Sequence, residues 1–285
     1  MVVNNVKSLM DSERDGKTFF STWRKQPTQT TTAGNWFDLS MSPGNPVPNY
    51  YIGTPNYFVP LAQSTDGGIP HRRSGASDQE YLRMFEVQST LATSVPLPLW
   101  ILDYLGFYPF LDESVTDEQT LYNTVAVPRF PLGTGVQMMP VVVAGQTGQL
   151  STFRVRYTNQ SGTENCWTPS HTMTVQSVNG TIISGGVYQN SQAPFMSLAE
   201  GDTGVRSVQS IWFDVGDIGL IALVLVKPIA RHTLQGIDAP VERDFYMEMS
   251  TIPAIADDAY LNLIVLPMGT LATAPIHGYI KTCWM

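Results

Sequence analysis

Charged side chains are scarce in this sequence: they make up 14% of its 285 residues, against about a quarter in an ordinary soluble protein. A surface so poor in charge must be finished with uncharged polar groups or covered by neighbours. Histidine and cysteine are scarcer still, at four and two, which leaves little material for a metal centre or a nucleophile with its base. The first residues lack the charged start, apolar stretch and small-residue cleavage site of an export signal. The longest apolar run, Leu220-Ile-Ala-Leu-Val-Leu-Val226, falls well short of the roughly 20 residues that cross a bilayer as a helix, so no membrane role is expected. Nucleotide-binding glycine patterns (G-x-x-x-x-G-K-S/T, or G-x-G-x-x-G between strand and helix) and the G-x-S-x-G elbow are missing. The net charge of −8 argues against nucleic acid as a partner, because phosphate contacts need clustered Lys and Arg. Together these absences point away from an enzyme and call for no cofactor.

What the chain has is apolar mass. Hydrophobic residues make up 43% of it, enough for a large core without staples. Cys166 and Cys283 could pair in principle, or stay as free thiols; spacing alone does not decide. From about residue 75 the signals are β. Candidate strands are Tyr81 to Val87, Val136 to Val143, Thr152 to Tyr157, Thr172 to Val178, Val205 to Val215, Leu220 to Val226, Phe245 to Met249, Tyr260 to Pro267 and Ile276 to Trp284. In Phe153-Arg-Val-Arg-Tyr157 the apolar side chains point one way and the arginines the other. Met138 to Val143 and Leu220 to Val226 are apolar throughout, as strands covered on both faces are. Trp100 to Phe110 fits a helix turn or a bent strand, and Asp117 to Tyr122 suggests one helical turn. The fold class is therefore all-β, a jelly-roll-like β-sandwich with its body at 61–285.

Residues 1–60 differ in texture and read as an extended N-terminal arm. Val3 to Arg14 suits a short helix with Val6, Leu9 and Met10 on one face, and the Thr-rich 28–34 stretch has no apolar period. Asn35 to Tyr51 combines aromatics with three prolines. Such a stretch should lie along a surface and not pair inside a sheet. Ordering it costs roughly 1–2 kcal/mol per residue, which burial of aromatic groups has to offset. An arm has no core of its own, so Trp23, Trp36, Phe37, Tyr50 and Tyr51 are the candidate partner-binding residues, and removal of 1–55 should leave a folded body. The first 30 residues hold Lys7, Arg14, Lys17, Arg24 and Lys25 against Asp11, Glu13 and Asp15, so the remainder carries −10. A mildly basic arm on an acidic body suits docking on a neighbour, or simple solvation.

The remaining polar candidates weigh little. Asp112-Glu113, Asp117-Glu118, Asp214 with Asp217, and Asp257-Asp258 lack the spacing of a calcium loop, and a glycosidase couple is defined by a separation that sequence does not show; solvated loop charge is the simpler reading. His71-Arg72-Arg73 could grip an anion or form an ion pair with a neighbouring chain. His171, His232 and His277 form no ligand pair. Tyr104, Phe107, Tyr108 and Phe110 crowd one segment, and strand residues such as Trp167, Trp212 and Trp284 suit core packing.

Several blocks resemble a known group. Ser12-Glu-Arg-Asp-Gly16, Trp36-Phe-Asp-Leu-Ser-Met-Ser-Pro-Gly-Asn-Pro46 with Tyr50-Tyr51, Asp103-Tyr-Leu-Gly-Phe-Tyr-Pro109, Gly135-Val-Gln-Met-Met139 and Asp258-Ala-Tyr-Leu-Asn-Leu-Ile264 are similar to virion proteins of tailed bacteriophages, across nearly the whole chain. The resemblance implies a particle component located in the virion: a head decoration or cement protein, a minor capsid protein, or the shell protein itself. It implies capsid or decoration subunits as partners and, by analogy with cement proteins at symmetry axes, a homo-oligomer such as a trimer. It carries over no catalytic residues. The pattern also resembles jelly-roll capsid proteins of picorna-like viruses. Rival readings are a tail- or fibre-associated protein that grips glycans through aromatic loops, and a depolymerase that uses Asp214 and Asp217.

Overall fold

In a computed structural model, residues 6–72, 78–145, 151–173, 178–186, 194–237, 239–248, 252–271 and 275–284 are described. The fold is all-β and sandwich-like, as the alternation of apolar residues implies. A helix, α1 (Val6–Arg14), leads into the principal strands. These are β1 (Thr18–Lys25), β2 (Asn35–Asp38), β3 (Glu80–Ser89), β4 (Leu97–Asp112), β5 (Gln137–Ala144), β6 (Thr152–Asn159), β7 (Thr181–Gly186), β8 (Val205–Phe213), β9 (Leu220–Leu234), β10 (Leu261–Val265) and β11 (Ile276–Trp284).

They form three sheets. Sheet I places β11 between β3 and β1, with the short strands Val241–Asp244 and Ala254–Ile255 on β3 and Gly44–Asn45 on β1. Sheet II runs β9-β5-β7-β2-β10-β4, with Val59–Pro60 beyond β4; a further pairing of β9 with β4 turns the row into a circuit. Sheet III places β6 against β8, flanked by Cys166–Trp167, His171–Thr172 and Gln119–Thr120. The long β4/β9 ribbon pairs from Asp112 opposite Leu220 to Leu97 opposite Leu234, and three register shifts bend it. That length lets one face of the ribbon serve both sandwiches. Leu97, Leu99 and Ile101 join the core against sheet I, while Leu105, Tyr108 and Leu111 join the core against sheet III. The other face points into a third cluster to which all six strands of the circuit contribute, among them Trp36, Tyr104, Met139, Ile182, Val224 and Ile264. Close strand approach restricts one position sharply: a side chain at Gly278 of β11 would place its Cβ 1.9 Å from the Glu86 carbonyl oxygen.

The structure corrects the expected arm. Strand β1 pairs with β11 along its whole length, Thr18 opposite Cys283 through Lys25 opposite Ile276, and β2 sits inside sheet II between β7 and β10. The chain passes residue 60 while paired, Val59 opposite Phe107 of β4. Prolines at 43, 46 and 48 all follow β2, so they cost its ladder nothing. Helix α1 is anchored by Leu9, which packs with Cys283, and by Glu13, which pairs with Arg83 and with Lys281 at 2.8 Å; Val6 and Met10 are exposed.

Other expectations change locally. The 117–122 stretch holds a short strand, not a helical turn. Phe245–Glu248 is a short helix because Asp244 Oδ1 accepts the Tyr246 and Met247 amides at 3.0 and 3.4 Å, the capping role that suits Asp at a helix start. Met249 lies outside the described residues, as do 174–177 of the expected 172–178 strand. Trp100 to Phe110 is entirely strand. Both cysteines are free thiols, Cys283 buried and Cys166 half-buried.

Candidate interaction surface

Four of the five expected partner-binding residues belong to the protein's own core. Trp23 lies between sheets I and II, its ring 6.1 Å from that of Phe85. Trp36 and Phe37, adjacent on β2, point to opposite faces of sheet II and enter different cores. Tyr51 is fully buried at a left-handed φ of 54°, a conformation that a bulky residue holds only where its surroundings fix it. Its surroundings do fix it. Asn49 Oδ1 accepts the Tyr51 amide at 3.0 Å, and the Tyr51 hydroxyl donates to Asp38 Oδ2 and lies 2.8 Å from Ser40 Oγ.

Asp38 is the centre of this clamp. Besides Tyr51 it accepts the Tyr104 hydroxyl at 2.7 Å, the Ser40 amide at 2.8 Å and the Ser40 hydroxyl at 2.7 Å. Burial pushes its carboxyl upward, and these four donors pull partly against the shift. The same burial, with the Asp38 charge beside them, holds Tyr51 and Tyr104 well above the ordinary phenol value. Lys25, also buried, donates to the Ser40 and Ser42 carbonyls at 3.3 and 3.1 Å, and burial lowers its ammonium to about 8. A sealed set of this kind holds a loop in place.

The loop it holds is the exposed feature. Immediately outside the clamp, Val47, Tyr50 and Ile52 are 66%, 52% and 73% exposed, and Tyr57 stacks on Tyr122 with ring centroids 4.6 Å apart. Tyr50 and Ile52 rim an open groove of about 290 Å³ floored by Phe107 and Tyr260, with Asn49 and Asp66 at its wall. Of the five expected residues, only Tyr50 presents its ring to solvent. Apolar side chains gathered on one rigid ledge mark an interaction site more often than scattered ones do.

The acidic pairs are tied into turns. Asp112 Oδ1 accepts the Ser114 amide and hydroxyl at 2.8 and 2.7 Å, and Asp258 binds the Ser64 amide and hydroxyl, both at 2.7 Å. Asp214 accepts the Thr152 hydroxyl, and Asp217 accepts the Ile218 amide at 2.7 Å. Histidines 171 and 232 face the Ser197 and Val241 carbonyls, and burial lowers both below the ordinary imidazole value. His71 bonds Glu80 and the Ala259 carbonyl, each at 2.9 Å, and His277 bonds Gln88. Arg72 lies 4.7 Å over Trp284, and Arg73 lies outside the described residues. Among the described residues no three His, Cys, Asp or Glu side chains gather as metal ligands, and no helix is long and apolar enough to cross a membrane.

Sequence reasoning assigned Trp167 and Trp212 to the core, and the structure places both on the outer face of sheet III. There Trp212 stands opposite Arg154 in the β8/β6 register and Trp167 opposite Arg156 on the other side. The Arg154 guanidinium lies 4.0 Å from the Trp212 ring centroid and 4.8 Å from that of Trp167. The alternation in β6 announced the outward arginines, but their partners come from segments 11 and 56 residues beyond Arg156, at positions whose pairing no local pattern reveals.

No protein-family profile matches the chain, nor does any curated protein sequence. Among solved structures it is similar to infectious bursal disease virus of the Gt strain, at 7% identity over 94% of this chain and 81% of that one with a TM-score of 0.20. It is likewise similar to the VP2 subviral particle of infectious bursal disease virus, at 7% identity over 94% and 80% with a TM-score of 0.19. TM-scores of this size are below what a shared fold produces.

Proposed function

We propose that this protein is a non-enzymatic structural subunit of a virus particle, of the head-associated kind that its sequence resembles in tailed bacteriophages, and that it grips neighbouring subunits through the 47–57 ledge. The observation that carries the reading is the ledge itself: Val47, Tyr50 and Ile52 stand in water on a loop locked from beneath by the Asp38 clamp. Each such side chain gains roughly 1.5–3 kcal/mol on full burial, and a preset loop loses little entropy on docking. The low charge of the chain agrees, since interface cores are depleted in Lys, Glu and Asp. A symmetric homo-oligomer, a trimer by the analogy with cement proteins, would bring three ledges around one axis.

The test is incorporation. Ile52→Asp and Tyr50→Ala variants should fold with a melting temperature close to that of the parent and still fail to appear in purified particles by mass spectrometry; light scattering on the same preparations reads the oligomer. Undiminished incorporation of both variants, or absence of the parent from particles, overturns the proposal. The groove beside the ledge favours one second reading, because a tyrosine ring with an amide and a carboxylate is also how proteins hold sugars. Selective binding on a glycan array, lost in Tyr50→Ala, would establish it in place of the first.

A further inference from the structure

The outer face of sheet III carries two arginines that share a strand and a face but not a fate. Arg156 is neutralised: its guanidinium lies 2.5 Å from Glu118, and its Nε donates to Ser210 Oγ at 3.1 Å. Arg154, two residues earlier, has no carboxylate within 4 Å among the described residues, and its Nε is sealed from solvent without a hydrogen-bond partner. Instead the cation is sandwiched between the indoles of Trp167 and Trp212, and Trp212 is itself pinned by its Nε1 donating to the Thr116 carbonyl at 2.6 Å. A guanidinium packed against two rings has already lost much of its rotamer freedom, so a carboxylate that meets its fork pays less ordering cost. Arginine and tryptophan are also the residues that dominate binding energy at protein interfaces.

We propose that Arg154, framed by Trp167 and Trp212, is a docking point for an acidic peptide segment of a partner protein, one carboxylate entering the arginine fork and flanking apolar groups lying against the indoles. The missing counterpart is defined by the neighbour: Glu118 does for Arg156 what an external carboxylate does for Arg154. A polyanion is disfavoured, because Glu118 and Asp214 flank the same face and the chain carries −8. A single acid in an apolar setting meets far less of that repulsion, because it carries one charge. This face is separate from the ledge, so the inference stands or falls independently of the particle reading.

Indole NMR signals of the full-length, 15N-labelled protein test it, with acetyl-Leu-Glu-Leu-amide as the probe and acetyl-Leu-Gln-Leu-amide as the control. The expected result is saturable shifts of the Trp167 and Trp212 signals with the Glu peptide, at least about tenfold weaker with the Gln peptide. Arg154→Met should abolish them, Arg154→Lys should weaken them about tenfold by removing the fork, and Arg156→Met should retain them; an unchanged melting temperature shows that each variant is folded. Absence of saturable shifts up to about 20 mM, the weak end of specific recognition, equal shifts with both peptides, or binding that survives Arg154→Met overturns the proposal. So does tighter, Arg154-dependent binding of heparin, which would mark the face as a polyanion site.

Discussion

Tyr50 and Tyr51 are neighbours in sequence and opposites in environment, and the stretches to which they belong differ in the same way. Residues 18–41 look like a loose leader yet supply two strands to two sheets and five large apolar side chains to the core. Residues 47–57, which hold no charged side chain, leave theirs in water apart from Tyr51. Apolar content does not separate the two. What does is polar anchoring: Asp38, Ser40 and Lys25 supply donors and acceptors that tie the backbone down from inside, so the chain enters the body there and emerges once those groups are satisfied.

The comparison breaks most severely on truncation. Removal of residues 1–55, which a true arm would tolerate, should abolish cooperative unfolding and yield insoluble protein, because it takes β1 from sheet I and β2 from the circuit of sheet II; a soluble product with a sharp melting transition would restore the arm. Next in size is Asp38→Ala, which removes the buried acceptor that the hydroxyls of Tyr51, Tyr104 and Ser40 share. A loss of about 3–5 kcal/mol is expected in denaturant unfolding, on the scale of breaking a buried charged network.

A smaller effect sharpens the role of Lys25. Its folded value of about 8 lies below that of an exposed lysine, so between pH 8 and about 10 the unfolded chain binds more protons and stability rises with pH. The full penalty is present below pH 8. The rise amounts to roughly 2–3 kcal/mol and should vanish in Lys25→Met, as urea titrations at pH 7.5 and 9.5 would show. Above pH 10 tyrosines such as Tyr260, pushed up to about 12 by burial, reverse the trend, because the unfolded chain ionises first. Smallest of all is the stability change on Tyr50→Ala, within about 0.5 kcal/mol for an exposed site.

Much of the fold was legible where one face of a strand is wet. The alternation in Phe153 to Tyr157 located β6 and the orientation of its side chains, and the apolar runs from Val205 and Leu220 placed the starts of β8 and β9, although β9 continues eight residues beyond the expected Val226. Strand β2 was not legible, for a physical reason: it is buried on both faces, so Trp36 and Phe37 stand side by side and the period of two that identifies a strand disappears. Its partners, β7 and β10, lie some 140 and 220 residues away. Of the candidates only Tyr50 lies on the exposed ledge, and Val47 and Ile52 were not singled out, because they are unremarkable apolar residues until the clamp beneath them is known. Tyr51 was misassigned with it, since only the distant Tyr104 and Asp38 explain its burial.

The position of β11 governs when this polypeptide can become native during its synthesis. Because residues 276–284 lie between β1 and β3, a nascent chain that has not yet reached them has made both neighbours of β11 without the strand that joins them. Trp23 and Phe85 must wait for β11 to be made before they are covered, a delay that long-range topology imposes. A ribosome stalled before codon 276 would release a product with these apolar residues uncovered, and chaperones or proteases would meet it first.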